Sequence, residues 1–188
     1  MEVAEAIKTR RAKRVLSDRP IEVGITAELV EAMRLSASCN NNQPWRVVVA
    51  RSKNSLDKVK SALSKGNAWA TRSPLIFVIA AKVEDDCHLS DRRDYFLFSC
   101  GLAVGQMLIR AVDLGIIAHP IAGYNPVVAK QQLGIPEECV VITLVICGYP
   151  GTDDSLLSDS QKEREKVRPA RKPVGDNFFD GEWGNPFA

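Results

Sequence analysis

The stretch Ser36-Ala37-Ser38-Cys39-Asn40-Asn41-Asn42-Gln43-Pro44-Trp45-Arg46-Val47-Val48-Val49 sets four successive amide side chains between an apolar helical run and a β-branched strand. Such groups cannot enter a helix or sheet interior without a partner for every amide. Asn also favours turns, because its side chain competes for the local backbone. The loop therefore either hangs in water or grips something polar, and a site is expected here. Pro44 biases Gln43 towards extended geometry, so the chain leaves the loop as the strand Arg46–Ala50, with Trp45 anchoring its start.

Working outward, Thr26 reads as the cap of a helix from Ala27 to about Ser38, with Glu28 in its first turn. Leu29, Val30, Met33 and Ala37 share one face of it. Before that, Glu2–Thr9 forms a short helix with Val3, Ala6 and Ile7 on one face. It runs into the basic cluster Arg10-Arg11-Ala12-Lys13-Arg14. Downstream, Asn54–Leu63 is an amphipathic helix that breaks at Lys65-Gly66-Asn67. The apolar run Leu75–Ala81 reads as a central strand buried on both faces.

A polar connection, Asp85–Asp94, leads into the longest helix, from roughly Arg92 to Leu114. Its stripe is Leu97, Cys100, Gly101, Val104, Leu108, Ala111 and Val112, and its other faces are apolar enough for a core helix or a dimer interface. A strand-like segment then ends in Pro120-Ile121-Ala122-Gly123 before the helix Val127–Leu133. Small residues there let backbone N–H groups approach a planar ligand. Cys139–Cys147 is the most β-prone segment and another buried strand.

At 188 residues, with 45% hydrophobic and 26% charged, the chain is long enough for one globular domain and too short for two comfortable ones. No apolar run approaches the roughly 18 residues that span a bilayer, and the N-terminus lacks a signal-peptide pattern. A cytoplasmic protein with no membrane partner is expected. The five cysteines are odd in number and include no Cys-x-x-Cys pair, which suggests free thiols in a reducing compartment. Cys100 and Cys147 lie in apolar runs. Cys39, in the polar loop, is the candidate reactive thiol, for which a cationic or metal neighbour is needed. The two histidines, His88 and His119, form no zinc-type cluster, and no metal is expected. His119 admits two readings, a satisfied core histidine or an acid–base group, and the first is favoured. A net charge of +2 is too small to imply a nucleic-acid partner.

The segment Ser38-x-x-Asn41-x-Gln43-Pro44-Trp45 resembles the Ser-x-x-Asn-x-Gln-Pro-Trp signature of the nitroreductase family, with Ala37 where the family has Pro. Three further segments resemble it in the same order: Arg10–Arg14, Gly115–Glu137 and Arg171–Pro173. The resemblance implies an α+β, nitroreductase-like three-layer fold, a central mostly antiparallel sheet flanked by helices, assembled as an intertwined homodimer. Residues 1–188 would form one FMN-binding domain, with residues 150–188 an extension contacting the partner subunit.

By the same resemblance, Arg10, Arg11, Ala12, Arg14, Arg171 and Lys172 would surround the FMN phosphate and ribityl chain, Ala12 replacing the family's small hydroxyl residue. Ala37, Ser38, Asn41 and Gln43 would border the isoalloxazine from one subunit or the other. Pro120 and Ile121 would pack on the ring, and the amides of Ala122 and Gly123 would face N5 and O4. Asn67 either contacts the pyrimidine edge or simply stops a helix, the second reading being favoured. No side chain is assigned as catalytic, because the flavin carries the redox chemistry.

The implied activity is an FMN oxidoreductase in which NAD(P)H, bound transiently, delivers electrons for a flat small-molecule acceptor such as a nitroaromatic or quinone by a ping-pong route. There is no Gly-x-Gly-x-x-Gly or Walker loop to hold a nicotinamide cofactor permanently. The alternative is a flavin-binding protein that stores or senses FMN with little turnover.

Overall fold

In a computed structural model, residues 1–91 and 93–187 are described. Four antiparallel strands, β1 (Arg46–Ala50), β2 (Leu75–Lys82), β3 (Ile117–Ile121) and β4 (Cys139–Gly148), form a sheet in the order β1-β2-β4-β3. The two β-branched runs thus take its centre. Successive residues of a strand face opposite ways, and β2 shows this directly. Leu75, Phe77 and Ile79 pack into one buried cluster, while Ile76, Val78 and Ala80 pack into another.

The first cluster lies under α2 (Val23–Arg34) and α4 (Tyr95–Asp113). The second includes residues of α3 (Lys53–Lys60) and α5 (Pro126–Leu133), together with Trp69. Helices therefore flank both faces, giving the α+β three-layer arrangement that was expected. α1 (Val3–Thr9) lies across α4. Residues 150–187 run along the surface through α6 (Asp159–Lys166) to an exposed tail, where Trp183 is 90% exposed and its ring sits 4.8 Å from that of Phe179.

Several expectations are corrected. α2 begins at Val23, four residues before Ala27, and ends at Arg34. Thr26 does not cap it. Buried inside the helix, Thr26 turns its hydroxyl back to the Glu22 carbonyl at 3.2 Å, the local bond such residues make within helices. α3 starts at Lys53 behind a Ser52–Ser55 capping box and stops at Lys60. The expected helix start at Arg92 lies outside the described residues.

α4 is long and apolar enough to cross a membrane by length and composition, although Ser99, Gln106 and Arg110 interrupt its apolar sequence. Here Phe96, Cys100, Ala103 and Met107 sit in the core against α2 and the sheet. Its outer face keeps Leu97, Phe98 and Leu102 exposed. In α1, only Ala6 is buried, and Val3 and Ile7 face outward.

Candidate functional site

β3 ends at Ile121, and the chain turns through Ala122 and Gly123 to Asn125, whose side chain caps α5 by accepting from the N–H groups of Val127 and Val128. The Gly123 carbonyl accepts from Ser64 N–H at 3.1 Å and from the Asn67 amide Nδ2 at 2.9 Å. Asn67 Oδ1 in turn accepts from the indole Nε1 of Trp69 at 3.2 Å. A Cβ added to Gly123 would lie 2.5 Å from Asn67 Nδ2 and 2.7 Å from Ser64 Oγ. Glycine is required here by close approach, and Asn67 is a brace rather than a helix stop. Among the described residues, neither the Ala122 nor the Gly123 N–H donates to an acceptor in the chain. Ala122 itself is exposed. Two backbone donors at a strand end are thus free for a ligand.

The brace continues. Trp69 packs on His119 with ring centroids 4.9 Å apart, and His119 Nδ1 lies 3.0 Å from the Lys13 carbonyl oxygen. A carbonyl only accepts, so Nδ1 carries the proton. Burial pushes the His119 pKa down to about 4, against the opposing hydrogen bond to Lys13 and with the help of the nearby Arg14 and Arg10 charges. Neutral at neutral pH, His119 acts as a joint between β3 and the basic N-terminal segment, as its core-histidine reading expected.

That segment borders a cleft of about 480 Å³ into which Arg10, Arg11, Arg14, Arg164, Arg168 and Arg171 converge, with Ala12 at its wall. The Arg11 guanidinium donates to the carbonyls of Arg164 and Glu165 at 3.0 Å each, satisfying orphan acceptors at the end of α6. Arg168 donates to the Arg10 carbonyl. Glu165 Oε1 accepts from the Arg14 N–H at 3.0 Å and lies 3.5 Å from its guanidinium. Among the described residues this is the one carboxylate paired with any of the six arginines. Arg10's pKa is accordingly lowered, by burial first and then by the charges of Arg168 and Arg171. Such a surplus of guanidinium groups favours a multiply charged oxyanion, which they meet with charge-assisted hydrogen bonds.

The amide-rich loop sits elsewhere. It enters β1 at the opposite edge of the sheet from β3, about 14 Å away across three strand spacings. Gln43 is not extended: Asn40, Asn41 and Gln43 have φ of 48°, 57° and 50°. Left-handed geometry of this kind in non-glycine residues is costly unless the surroundings impose it. Here Ser38 Oγ accepts from the Gln43 N–H at 2.9 Å, and Gln43 Nε2 donates to the Asn41 carbonyl at 3.1 Å. Ala37 is exposed beside them. Among the described residues no hydrogen bond links this loop to the arginine cleft or to the Gly123 turn.

Cys39 is not free. It is joined to Cys87, 48 positions further along the chain, in a disulfide with Cα atoms 6.1 Å apart. The expectation of free thiols holds only for Cys100, Cys139 and Cys147, all buried; burial pushes the Cys100 thiol up to about 12.

Of the other expected residues, Pro120 and Ile121 lie in β3 beside the free amides, Ile121 largely buried. Lys172 is exposed and does not border the arginine cleft. Arg164 and Arg168 do, although the sequence singled out Arg171. Nothing in the spacing of the C-terminal basic residues distinguishes those that turn inward, Arg164 within α6 and Arg168 and Arg171 beyond it.

Comparison with known proteins adds to this geometry. The model of the Nitroreductase family matches residues 7–68 and 62–149. A protein of Archaeoglobus fulgidus named "Putative NADH dehydrogenase/NAD(P)H nitroreductase" is 33% identical over 176 residues, covering 88% of this chain and 98% of its own. A crystal structure described as "the oxidoreductase containing FMN" is 26% identical, with a TM-score of 0.84 over 98% of this chain and 94% of that one. A nitroreductase family protein of Clostridium difficile 630 shares the fold, with a TM-score of 0.79 at 19% identity over 97% and 99% of the two chains.

Proposed function

Because this chain belongs to the nitroreductase family, we propose that it is an FMN-dependent NAD(P)H oxidoreductase that reduces flat acceptors such as nitroaromatics or quinones by a ping-pong route. The observation that carries this reading is the cleft in which six arginines converge with one paired carboxylate among the described residues. Its chemistry suits a flavin phosphate. When bound, FMN would supply two-electron transfer between NAD(P)H and the acceptor.

The protein's own contribution is binding and electrostatics. Arg10, Arg11, Arg14, Arg168 and Arg171 hold the phosphate, with Arg164 at the rim. The free N–H groups of Ala122 and Gly123 would face the electron-rich edge of a bound flavin, where preorganised donors stabilise charge that develops on reduction. The Asn67–Trp69–His119 brace holds that turn against Lys13, so the phosphate and ring ends of the site are tied together. His119 stays neutral and transfers no proton.

Ser38, Asn41 and Gln43 lie at the far edge of the sheet in one chain, so in this reading they border the flavin of the other subunit in a homodimer. The exposed apolar face of α4 supports such pairing, since a patch of this kind on a free monomer is costly. Residues 150–188 then form an extension of the single domain that embraces the partner. A cytoplasmic location follows from the use of NAD(P)H.

The test is the visible spectrum of the dialysed protein, followed by anaerobic NADH or NADPH. Flavin bands that bleach support the proposal. Arg10→Met and Arg171→Met should each weaken FMN binding roughly tenfold or more. A protein that stays colourless after incubation with FMN overturns it. Bound flavin that neither nucleotide bleaches points to storage or sensing instead.

A further inference from the structure

We propose that Cys39 and Cys87 form a thiol–disulfide exchange site, with the buried Asp86 carboxylate as its proton acceptor, that takes small thiols and disulfides as co-reactants. Such a site needs no flavin; it depends on what surrounds the two sulfur atoms. Cys39 belongs to the amide-rich loop before β1. Cys87 follows the turn Val83–Asp85 at the far end of β2. Both cysteines are half-buried, so the bond lies near solvent, unlike the three enclosed thiols.

Asp86 is only 5% exposed. Its Oδ1 accepts from the Cys87 N–H at 2.8 Å and from Asn42 Nδ2 at 3.2 Å. Its Oδ2 is buried with no hydrogen-bond partner. A carboxylate oxygen and both sulfurs lie within 4.8 Å of one another. A buried acceptor with nothing to accept is expensive, and a thiol proton is what this neighbourhood can offer it. Two donors also flank Cys87: Asn40 Nδ2 and Asn42 Nδ2 lie 3.7 and 3.8 Å from its Sγ. They would stabilise a thiolate at Cys87, making it the better leaving group on reduction and the better nucleophile on oxidation.

The exchange balances as follows. In the oxidising direction Cys87 passes its proton to the Asp86 carboxylate, and its thiolate attacks a disulfide RSSR, releasing RS⁻, which takes that proton and leaves Asp86 free to accept the one on Cys39. Cys39, deprotonated in turn, then attacks Cys87 Sγ in the mixed disulfide and expels a second RS⁻. The two thiol protons end on two RSH, and two electrons pass to RSSR. Reduction by thiols runs the same steps backwards.

The site also bears on the loop. The disulfide at Cys39 and the Asn42–Asp86 bond bracket the left-handed residues Asn40 and Asn41, and the third, Gln43, follows directly after Asn42. Opening the bond removes one of the restraints that hold them there.

The experiment is a redox titration of the full chain in mixtures of reduced and oxidised dithiothreitol, quenched by alkylation and read by peptide mass spectrometry. Cys39 and Cys87 should switch together in one two-electron transition while Cys100, Cys139 and Cys147 stay reduced, and amide exchange in residues 39–43 should speed up on the reduced side. Asp86→Asn should slow reduction by dithiothreitol at neutral pH roughly tenfold or more and alter its pH profile. Asp85 and Arg46, paired at 2.9 Å, and the Cys100 thiol are the ionisable neighbours bearing on that profile. A bond that opens only when the protein unfolds, or an Asp86→Asn variant reduced as fast as wild type, overturns the proposal.

Discussion

Gly123→Ala tests the brace behind the free amides. The φ of Gly123 is not in the left-handed region, so alanine costs nothing in backbone conformation and, by restricting the unfolded chain, would ordinarily stabilise by about 0.4–1 kcal/mol. The new Cβ would instead sit 2.5 Å from Asn67 Nδ2, which forces that amide away. Ser64 Oγ, at 2.7 Å, is on an exposed residue and can rotate aside. Displacing Asn67 breaks its bond to the Gly123 carbonyl, about 1 kcal/mol net, and strips the Trp69 indole of its acceptor, about 1–3 kcal/mol for a buried donor. Trp69 is 1% exposed, so water does not replace the lost partner.

The expected net loss is about 2 kcal/mol, which for a domain of this size lowers Tm by roughly 4–8 °C. Equilibrium urea denaturation followed by circular dichroism measures it. Gly24→Ala, where nothing lies within 4 Å of the added carbon, should stabilise slightly and serves as the control. In an Asn67→Ala background the Gly123→Ala penalty should shrink by about 1 kcal/mol or more, because the displaced partner is already gone. A Gly123→Ala protein within about 0.5 kcal/mol of wild type, or two strictly additive substitutions, would refute the brace.

Two further outcomes follow from the same geometry. Unfolded, His119 takes up a proton near pH 6.5; folded, it does so only near 4. The native state therefore binds fewer protons across that interval, and the contribution present above pH 6.5, at most about 3 kcal/mol, is lost as pH falls towards 4. His119→Asn, which keeps a donor for the Lys13 carbonyl, should flatten this part of the stability–pH curve, and an unchanged slope between pH 6.5 and 4 would exclude His119 as its source. On α4, Leu102→Arg places a charge on the exposed apolar face. If a second copy covers that face, sedimentation should show a monomer and FMN affinity should fall with it; an unaltered dimer would place the interface elsewhere.

What the sequence revealed and what it hid divide along a physical line. β2 and β4 were legible because a strand buried on both faces must be apolar along most of its length, as Leu75–Ala81 and Leu144–Cys147 are. The amide loop was legible because successive Asn and Gln side chains have no place in a core. The start of α2 was hidden because Thr26-Ala27-Glu28 satisfies the rules for a cap, whereas Glu22 begins the helix with no side-chain cap at all. The Cys39–Cys87 bond, the bond from Asn67 to Gly123 and the inward turn of Arg168 were hidden for another reason. Each joins residues 48 or more positions apart, and none leaves a periodic trace. Yet each of these three links ends on a segment that residue chemistry had already marked: the amide loop, the Gly123 turn and the arginine run. Local chemistry in this chain finds the pieces of a site, and long-range bonds decide which pieces share one. The amide loop stays apart from the other two within one chain because the sheet puts β1 and β3 on opposite edges. That separation is the reason for proposing that a site drawing on all three segments takes the amide loop from a second chain.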